Sequence, residues 1–204
     1  IKESKLVIEA IIEDLKLKQD IFNKIEEIVE KKCIIATNTS SLSIASIAGS
    51  CKNPERVIGI HFFNPAPLMP LVEIIPSIQS SDETINHAKS IIDSWQKITV
   101  LTKDTPGFIG NRIGVFWMMS ASMKAIEMGL SVEEADLIIS SVFGAPKTGV
   151  FGLLDVVGLD LMPHVLSSMI DNLESNDEYH AYKKIPEIFN YMLENKLIGR
   201  KGIG

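Results

Sequence analysis

A histidine and a glutamate within residues 57–75, VIGIHFFNPAPLMPLVEII, are the first candidates for chemistry. His61 ends one apolar run and Glu73 lies inside the next. Because burying an ionisable group is costly unless it is paired, we expect the two side chains to satisfy each other. Such a pair is a base that can take a proton from an alcohol, since a carboxylate fixes the imidazole tautomer and raises its basicity. The alternative is a core histidine bonded to any acceptor, and these residues alone leave it open.

Polar side chains in three other places are candidates for ligand contacts. Asn38 and Ser40 follow an apolar run in ATNTSS, where they either face a ligand or cap the short helix that comes next. Asn64 precedes a proline in HFFNP, which is a turn signal, and it could also donate to a ligand near His61. Asn111 lies near the start of a long apolar stretch, where it is either solvated or directed toward His61.

Alternating strands and helices are predicted to position these side chains. The apolar runs that predict strands are KLVIEA (5–10), CIIATN (33–38), RVIGIHFF (56–63), LVEII (71–75) and ITVLTK (98–103). Helical patterns separate them at 13–32, 41–50 and 81–97, and the inner face of the first is expected to carry Leu15, Phe22, Ile25 and Ile28. This alternation predicts an α/β fold with a parallel or mostly parallel sheet covered on both faces, and with ligands at the carboxyl ends of its strands.

The pattern changes near the middle of the chain. A Pro-Gly joint at 106–107 is followed by helical periodicity to the end, including a capping box in SVEE at 131–134. The helix predicted at 107–128 has too few polar positions for a solvated face, so it must pack against neighbours or a partner. We therefore predict an α/β domain at 1–103 and an all-helical domain at 104–204 that mediates homodimerisation.

Composition and charge exclude several classes of protein. The chain has 204 residues, of which 46% are hydrophobic and 23% charged, as in an ordinary globular protein. A net charge of −6 argues against a nucleic-acid partner, which requires a basic face. We expect no membrane span and no secretory signal, because no apolar run has the necessary length or flanks. Cys33 and Cys51 have no metal-site spacing, so we expect reduced thiols, no metal and a cytoplasmic location.

Five segments resemble the L-3-hydroxyacyl-CoA dehydrogenases of fatty-acid β-oxidation. They are NTSSLSIASIA, RVIGIHFFNPAPLMPLVEII, KDTPGFIGNRIG, PKTGVFGLLDVVGLD and IFNYMLENKLIGRKGIG. The last two are most similar to the long bacterial forms, in which an enoyl-CoA hydratase domain can be fused to the dehydrogenase. The resemblance implies the C-terminal half of a Rossmann-type doubly wound sheet followed by an all-helical domain. It also implies NAD as cofactor and oxidation of (S)-3-hydroxyacyl-CoA to 3-oxoacyl-CoA.

The resemblance implies a role for each of nine residues. Those that match catalytic positions are His61 (the base), Glu73 (its carboxylate partner), Ser40 (a hydrogen bond to the reacting oxygen) and Asn111 (an amide that fixes substrate and serine). Those that match cofactor-binding positions are Glu13 and Lys18 (close to the nicotinamide end of NAD), Asn38 and Asn64 (cofactor or substrate contacts near that end) and Lys196 (a lysine near the cofactor). In this scheme His61 takes the hydroxyl proton while the carbon loses hydride to NAD⁺.

The sequence departs from the family at the pyrophosphate site. Family members begin with a strand and a GxGxxG turn that holds the pyrophosphate at a helix N-terminus, and this sequence contains no GxGxxG. We therefore expect a fragment or one piece of a split gene, inactive by itself, with an exposed edge strand at KLVIEA or its neighbour. Two other functions stay open: a non-catalytic dimerisation or assembly module, and a dehydrogenase of the same build that acts on a hydroxy acid without CoA.

Overall fold

The computed structural model of the chain describes residues 1–142, 147–200 and 202. It divides into two compact units, Ile1–Gly110 and Asn111–Gly204. The first unit contains all five strands found in the described residues, and the second is built of helices. This order confirms the prediction of an α/β half followed by an all-helical half.

The first unit alternates strands and helices. Its elements are β1 (Leu6–Glu9), α1 (Leu15–Ile28), β2 (Ile34–Thr37), α2 (Ile44–Ala48), a 3₁₀ helix (Pro54–Arg56), β3 (Val57–Phe62), β4 (Leu71–Pro76), α3 (Asp82–Ser94) and β5 (Ile98–Leu101). Each α-helix follows an N-cap residue whose side chain accepts a hydrogen bond from the first turn: Asp14 for α1, Ser43 for α2 and Ser81 for α3. Each predicted strand and helix of this unit is therefore present.

The five strands form one sheet in the order β1-β2-β3-β4-β5, with β1 at an edge as predicted. The pairs β1–β2, β2–β3 and β4–β5 are parallel, whereas β3 and β4 are antiparallel. A parallel pair needs a crossover of about a dozen residues or more, and the connection at 63–70 is too short for one. The sheet is therefore mostly parallel, with one hairpin in it.

Helices cover both faces of the sheet. On one face α1 and α2 pack against Ile35, Val57 and Ile75, and on the other α3 packs against alternate residues of the same strands. The buried face of α1 consists of Lys18, Phe22 and Ile25. The prediction that Leu15 and Ile28 share this face is wrong, since they are 37% and 46% exposed. Lys18 is buried on this face, although the apolar periodicity did not include it.

The segment 104–110 belongs to the first compact unit. The carboxylate of Asp104 accepts hydrogen bonds from the backbone N–H groups of Ile44 and Ala45, at 2.9 and 2.8 Å, in the first turn of α2. Phe108 is 4% exposed and belongs to the apolar core beneath α1 and α2. These contacts tie the segment 104–110 to the sheet.

The second unit is helical throughout its described residues. Its elements are α4 (Gly110–Glu127), α5 (Val132–Val142), α6 (Gly149–Val157), α7 (Leu161–Asn172), a 3₁₀ helix (Glu178–Lys183) and α8 (Glu187–Glu194). The predicted capping box is present, because the N–H of Ser131 donates to Oε2 of Glu134 and the N–H of Glu134 donates to Oγ of Ser131. Within the described ranges no single helix is long and apolar enough to cross a membrane; α6 and α7, bent by 94°, reach that length and composition only as a pair.

Candidate active site

The predicted hydrogen bond between His61 and Glu73 is present. The register of the β3–β4 hairpin places the two residues directly opposite each other, so their side chains share one face of the sheet within reach of each other. Nδ1 of His61 lies 2.7 Å from Oε2 of Glu73, and the residues are 6% and 1% exposed. A shift of one residue in register would move the imidazole to the other face. The hairpin therefore assembles the pair.

The second oxygen of Glu73 is also bonded. Oε1 accepts hydrogen bonds from the backbone N–H groups of Ile109 and Gly110, each at 2.8 Å. Burial raises the pKa of Glu73, but the hydrogen bonds from His61, Gly110 and Ile109 and the charge of His61 outweigh it, so the pKa lies below its ordinary value. Because the ionised carboxylate can only accept, the hydrogen bond places a proton on Nδ1, and in the neutral form of the imidazole Nε2 carries the lone pair. His61 can therefore act as a base at Nε2.

Two aromatic rings flank the imidazole. The ring centroids of Phe63 and Phe108 lie 4.8 and 5.8 Å from that of His61. The position of Phe63 requires a glycine at 110, because a Cβ there would lie 2.2 Å from Cζ of the ring. Gly110 thus leaves space for a ring beside His61 and donates its N–H to Glu73. The apolar surroundings strengthen the electrostatic interaction within the pair.

Glu13 binds the loop that follows β2. Its carboxylate accepts hydrogen bonds from Oγ1 of Thr39 at 2.9 Å, from the N–H of Ser40 at 2.7 Å and from Oγ of Ser40 at 3.2 Å. Burial raises the pKa of Glu13, but the hydrogen bonds from Ser40 and Thr39 and the charge of Lys18 outweigh it and lower the pKa below its ordinary value. Glu13 and Ser40, for which the family resemblance implies contacts with the cofactor and the substrate, are therefore in direct contact.

A buried ion pair lies behind Glu13. Nζ of Lys18 is 2.7 Å from Oε1 of Glu9 and 3.3 Å from Oε2 of Glu13, and Lys18 is 1% exposed. Oγ1 of Thr37 donates to Oε2 of Glu9 at 2.8 Å. The sequence analysis missed Glu9 and Thr37. Glu9 could have been found, because a carboxylate at the end of KLVIEA is the same signal as Glu73 inside LVEII.

Asn38 and Asn64 lie near the ends of β2 and β3. Oδ1 of Asn38 accepts a hydrogen bond from the N–H of Phe62 at 2.9 Å, which ties the end of β2 to the residue after His61. Asn64 is exposed in the turn that follows β3, and its peptide bond to Pro65 is cis. Asn38 thus has a structural contact in addition to the ligand contact predicted for it.

The other two predicted site residues lie in the second unit. Asn111 is in the first turn of α4, where its carbonyl oxygen accepts a hydrogen bond from Oη of Tyr179 at 3.2 Å. Lys196 is exposed after the end of α8, with a positive φ of 59°. Their roles toward substrate and cofactor stay predictions.

The carboxyl ends of β1, β2 and β3 lie next to one another at the same end of the sheet, because these strands are parallel neighbours. That end carries the imidazole of His61, the hydroxyl of Ser40 and the charged cluster of Glu9, Glu13 and Lys18. Within the described residues no group of three or more His, Cys, Asp or Glu side chains could hold a metal ion. The chemistry that this set of groups supports is removal of a proton from a substrate hydroxyl.

Two family models together match nearly all residues of the chain. The model described as 3-hydroxyacyl-CoA dehydrogenase, NAD binding domain, matches residues 1–105. The model described as 3-hydroxyacyl-CoA dehydrogenase, C-terminal domain, matches residues 107–203. The junction between them lies close to the division between the two compact units at Gly110 and Asn111.

The relatives and solved structures that the chain resembles are named as hydroxyacyl- or hydroxybutyryl-CoA dehydrogenases, or as a fatty acid oxidation enzyme. The chain is 40% identical over 207 residues to the provisionally named fatty acid oxidation complex trifunctional enzyme of Rickettsia prowazekii, covering 100% of this chain and 29% of that protein. It is 36% identical over 205 residues to the mitochondrial hydroxyacyl-coenzyme A dehydrogenase of Homo sapiens, covering 100% of this chain and 64% of that one. The crystal structure of 3-hydroxybutyryl-CoA dehydrogenase from Escherichia coli superposes with a TM-score of 0.86 at 33% identity, covering 97% of this chain and 41% of that one. That of (S)-3-hydroxybutyryl-CoA dehydrogenase from Ralstonia eutropha has a TM-score of 0.85 at 34% identity, covering 97% and 68%.

Proposed function

The chain belongs to the 3-hydroxyacyl-CoA dehydrogenase family, and from this membership we propose that its protein oxidises (S)-3-hydroxyacyl-CoA to 3-oxoacyl-CoA with NAD⁺, as a step of fatty-acid β-oxidation. The observation that carries this proposal is the 2.7 Å hydrogen bond between Nδ1 of His61 and Glu73. It leaves the basic Nε2 for the substrate hydroxyl. Because the chain spans 29% of the Rickettsia relative and 64% of the human one, the activity is proposed for the whole protein.

His61 acts as the general base in this proposal. Its Nε2 accepts the hydroxyl proton, and Glu73 stabilises the resulting imidazolium, since opposite charges attract strongly in a buried site. Glu73 is already fixed by Ile109 and Gly110, so the base needs little reorganisation. In the reverse direction the imidazolium returns the proton to the 3-oxo oxygen.

Ser40 has the role of holding the reacting oxygen. It lies directly after Thr39 in the loop bound by Glu13, whose carboxylate accepts from its N–H at 2.7 Å. A hydroxyl held by a rigid loop can orient an oxygen while the base removes its proton. The family likeness assigns the same substrate oxygen to Asn111, and that assignment stays a prediction.

The donors and acceptors at the ends of β1 and β2 fit the nicotinamide half of NAD. Glu13 has a side chain that is 37% exposed and offers carboxylate oxygens to ribose hydroxyls. The amide of Asn38 can donate to the carboxamide, because its own oxygen is bonded to Phe62. When bound, NAD⁺ supplies the hydride acceptor. These residues would hold and orient it.

A spectrophotometric assay tests the proposed function. We expect the full-length protein to oxidise NADH with acetoacetyl-CoA and to leave acetoacetate, which has no CoA, essentially untouched. Comparable rates with the two substrates would instead favour a hydroxy-acid dehydrogenase of the same fold. No NADH oxidation with either substrate would favour the assembly module.

We also propose that the helical unit self-associates through one face of α4. A groove of about 540 Å³ runs along that helix, and a second of about 480 Å³ adjoins it at Trp117 and Ser120. The first is lined by Arg112, Ile113, Phe116, Trp117, Ser120, Asp177, Glu178 and Tyr179. Ile113 is 65% exposed beside these aromatic rings. An apolar and aromatic face of this kind is typical of a protein interface, which supports the predicted homodimer.

Light scattering tests the dimer. We expect the chain to be a dimer at micromolar concentration and Trp117→Arg to be a monomer, since the substitution places a charge in the groove. Trp95→Arg is the matched control, because Trp95 is 50% exposed in the first unit, and it should leave the dimer intact. A monomeric wild type would contradict the proposal.

A cytoplasmic location is the last part of the proposal. Cys33 and Cys51 are free thiols, and Cys33 is buried. Free thiols are typical of a reducing compartment, where disulfides rarely persist. Cell fractionation tests this, and recovery of the protein in a membrane or secreted fraction would contradict it.

A further inference from the structure

The ammonium of Lys18 is held by partners inside the protein. Its Nζ donates hydrogen bonds to Oε1 of Glu9 at 2.7 Å and to the carbonyl oxygen of Ile11 at 3.2 Å, and it forms an ion pair with Oε2 of Glu13 at 3.3 Å. Glu9 is the nearest of the three. A lysine that is 1% exposed needs a countercharge to stay ionised, and Glu9 supplies it at the shortest distance.

Glu9 is itself held rigidly. Its Oε2 accepts from Oγ1 of Thr37 at 2.8 Å, and its Oε1 accepts from the N–H of Ile11 at 2.6 Å as well as from Lys18. It also ends β1 and is 5% exposed. Its position is therefore set by two strands and does not depend on a ligand.

Glu13, in contrast, interacts with two different partners, the loop that contains Ser40 and the ammonium of Lys18. Its Oε1 accepts the N–H of Ser40 at 2.7 Å, and its Oε2 lies 3.3 Å from the Lys18 ammonium. The shorter distance is on the Ser40 side. Because Glu9 already neutralises Lys18, the charge of Glu13 is left to hold the loop at 39–41.

We propose that Glu9 is a positioning residue for Ser40 that acts through Lys18 and Glu13. Without the negative charge of Glu9, the buried ammonium has Glu13 as its sole carboxylate partner among the contacts above, and the carboxylate moves toward it. The loop at 39–41 then loses its strongest acceptor, and Ser40 leaves the position in which it would meet the substrate oxygen. The kinetic consequence rests on the proposed dehydrogenase function, whereas the structural consequence does not.

The structural consequence is measured by the amide resonance of Ser40 in ¹⁵N-labelled protein without ligand. A short hydrogen bond moves an amide proton downfield, so Glu9→Gln is expected to move the Ser40 signal upfield. The double variant Glu9→Gln/Lys18→Met removes the ammonium that draws Glu13 away, and it should restore the signal. A Ser40 signal unmoved in folded Glu9→Gln overturns the inference. A double variant displaced as far as Glu9→Gln overturns the route through Lys18.

Glu26→Gln is the matched control, because Glu26 belongs to a second buried ion pair on the same helix α1. Its Oε1 lies 3.4 Å from Nη2 of Arg56, with side chains 5% and 8% exposed. Its loss should lower stability without moving the Ser40 signal, and an equal shift in this variant would overturn the inference. If Glu9→Gln does not fold, Glu9→Asp is the second variant, because its shorter side chain withdraws the carboxylate from Nζ of Lys18 and so weakens the neutralisation of the ammonium. It should then move the Ser40 signal in the same direction, and an unmoved signal would overturn the inference.

The kinetic consequence is measured in the full-length protein. Glu9→Gln should lower kcat about tenfold, the effect of losing about one hydrogen bond to the reacting oxygen, while Glu26→Gln keeps the wild-type kcat. Equal losses of kcat in both variants would reduce Glu9 to a structural residue. A wild type without activity on 3-hydroxyacyl-CoA, together with a shifted Ser40 signal in Glu9→Gln, would leave this inference standing and overturn the proposed function.

Discussion

The imidazole of His61 is oriented by bonds that exist before any substrate arrives. Glu73 holds Nδ1 with one oxygen and is itself held at the other by two backbone N–H groups. The pair was predictable, because two ionisable residues in adjacent apolar runs have to find partners. Its backbone donors were not, since Ile109 lies 36 residues from Glu73 in the sequence and only tertiary packing brings it there.

Gly110→Ala tests the packing around His61. The added Cβ would lie 2.2 Å from Cζ of Phe63, so that ring must move away from the imidazole. We expect a loss of about 1–3 kcal/mol in the free energy of unfolding, as for other overpacked sites, and a shift of the His61 ring resonances. Thermal unfolding and ¹H–¹³C spectra measure the two effects.

Gly114→Ala is its control on the same helix α4. A Cβ at Gly114 meets no heavy atom of the described residues within 4 Å. Alanine is the better helix former by about 0.8–1 kcal/mol, so this variant should be more stable than the wild type and keep the His61 resonances. Equal destabilisation by both substitutions would mean that the Phe63 contact does not matter.

Most of the secondary structure could be predicted from local sequence signals. The features that could not be predicted depend on contacts between residues far apart in the sequence. The S-x-x-E pattern at Ser131 and Glu134 predicts a capping box, and the box is present because it depends on adjacent residues only. The inner face of α1 was partly wrong, because periodicity cannot show that Lys18 is neutralised by Glu9 in a different element. Strand direction was likewise not readable for the β3–β4 hairpin, since a short apolar run looks the same in either direction.

Acid should loosen the contacts that join elements of the first unit. Glu13, Glu26 and Glu73 link separate segments, and for each of them burial raises the pKa while hydrogen bonds outweigh it and lower the pKa below 4.5. A carboxylate with a lower pKa in the folded state stabilises the protein above its unfolded pKa. That stability is lost as the pH falls through the folded value. We therefore expect stability to be retained at neutral pH and to decline below about pH 4.5.

Glu73→Gln isolates one of these contributions. The variant should be less stable than the wild type at neutral pH, and the difference should shrink as the pH falls below about 4.5. Thermal unfolding between neutral pH and about pH 3 measures it. A difference between the two proteins that is independent of pH would show that the ionised carboxylate of Glu73 does not stabilise the fold.

At the scale of the whole molecule, the chain consists of two compact units. The sheet unit carries His61, Glu73, Ser40 and the charged cluster, and the helical unit carries Asn111 and the α4 groove. The secondary-structure class of each unit is the predicted one, α/β for the first and all-helical for the second. A change from strand–helix alternation to continuous helical periodicity is a strong sequence signal. The packing of the segment 104–110 with the sheet was not predictable, because it depends on the Asp104 carboxylate meeting α2.

Residues 1–204 by themselves should bind NADH weakly. They contain no GxGxxG turn, so they lack the backbone N–H groups that hold the pyrophosphate in Rossmann domains. Losing several charge-assisted hydrogen bonds of roughly 1.5–3 kcal/mol each weakens binding by orders of magnitude. Titration calorimetry with NADH should detect no micromolar site. A micromolar Kd would mean that other groups of this chain hold the cofactor.

The central claim is that His61 is the general base, and the kcat of His61→Gln in the full-length protein tests it most directly. With acetoacetyl-CoA and NADH, the substitution should lower kcat by about 10²–10⁴-fold, the usual contribution of a general acid or base, and should leave the affinity for NADH unchanged. His87→Gln, an exposed histidine on α3, should keep the wild-type kcat. Near-normal turnover by His61→Gln would contradict the account and remove His61 from the mechanism.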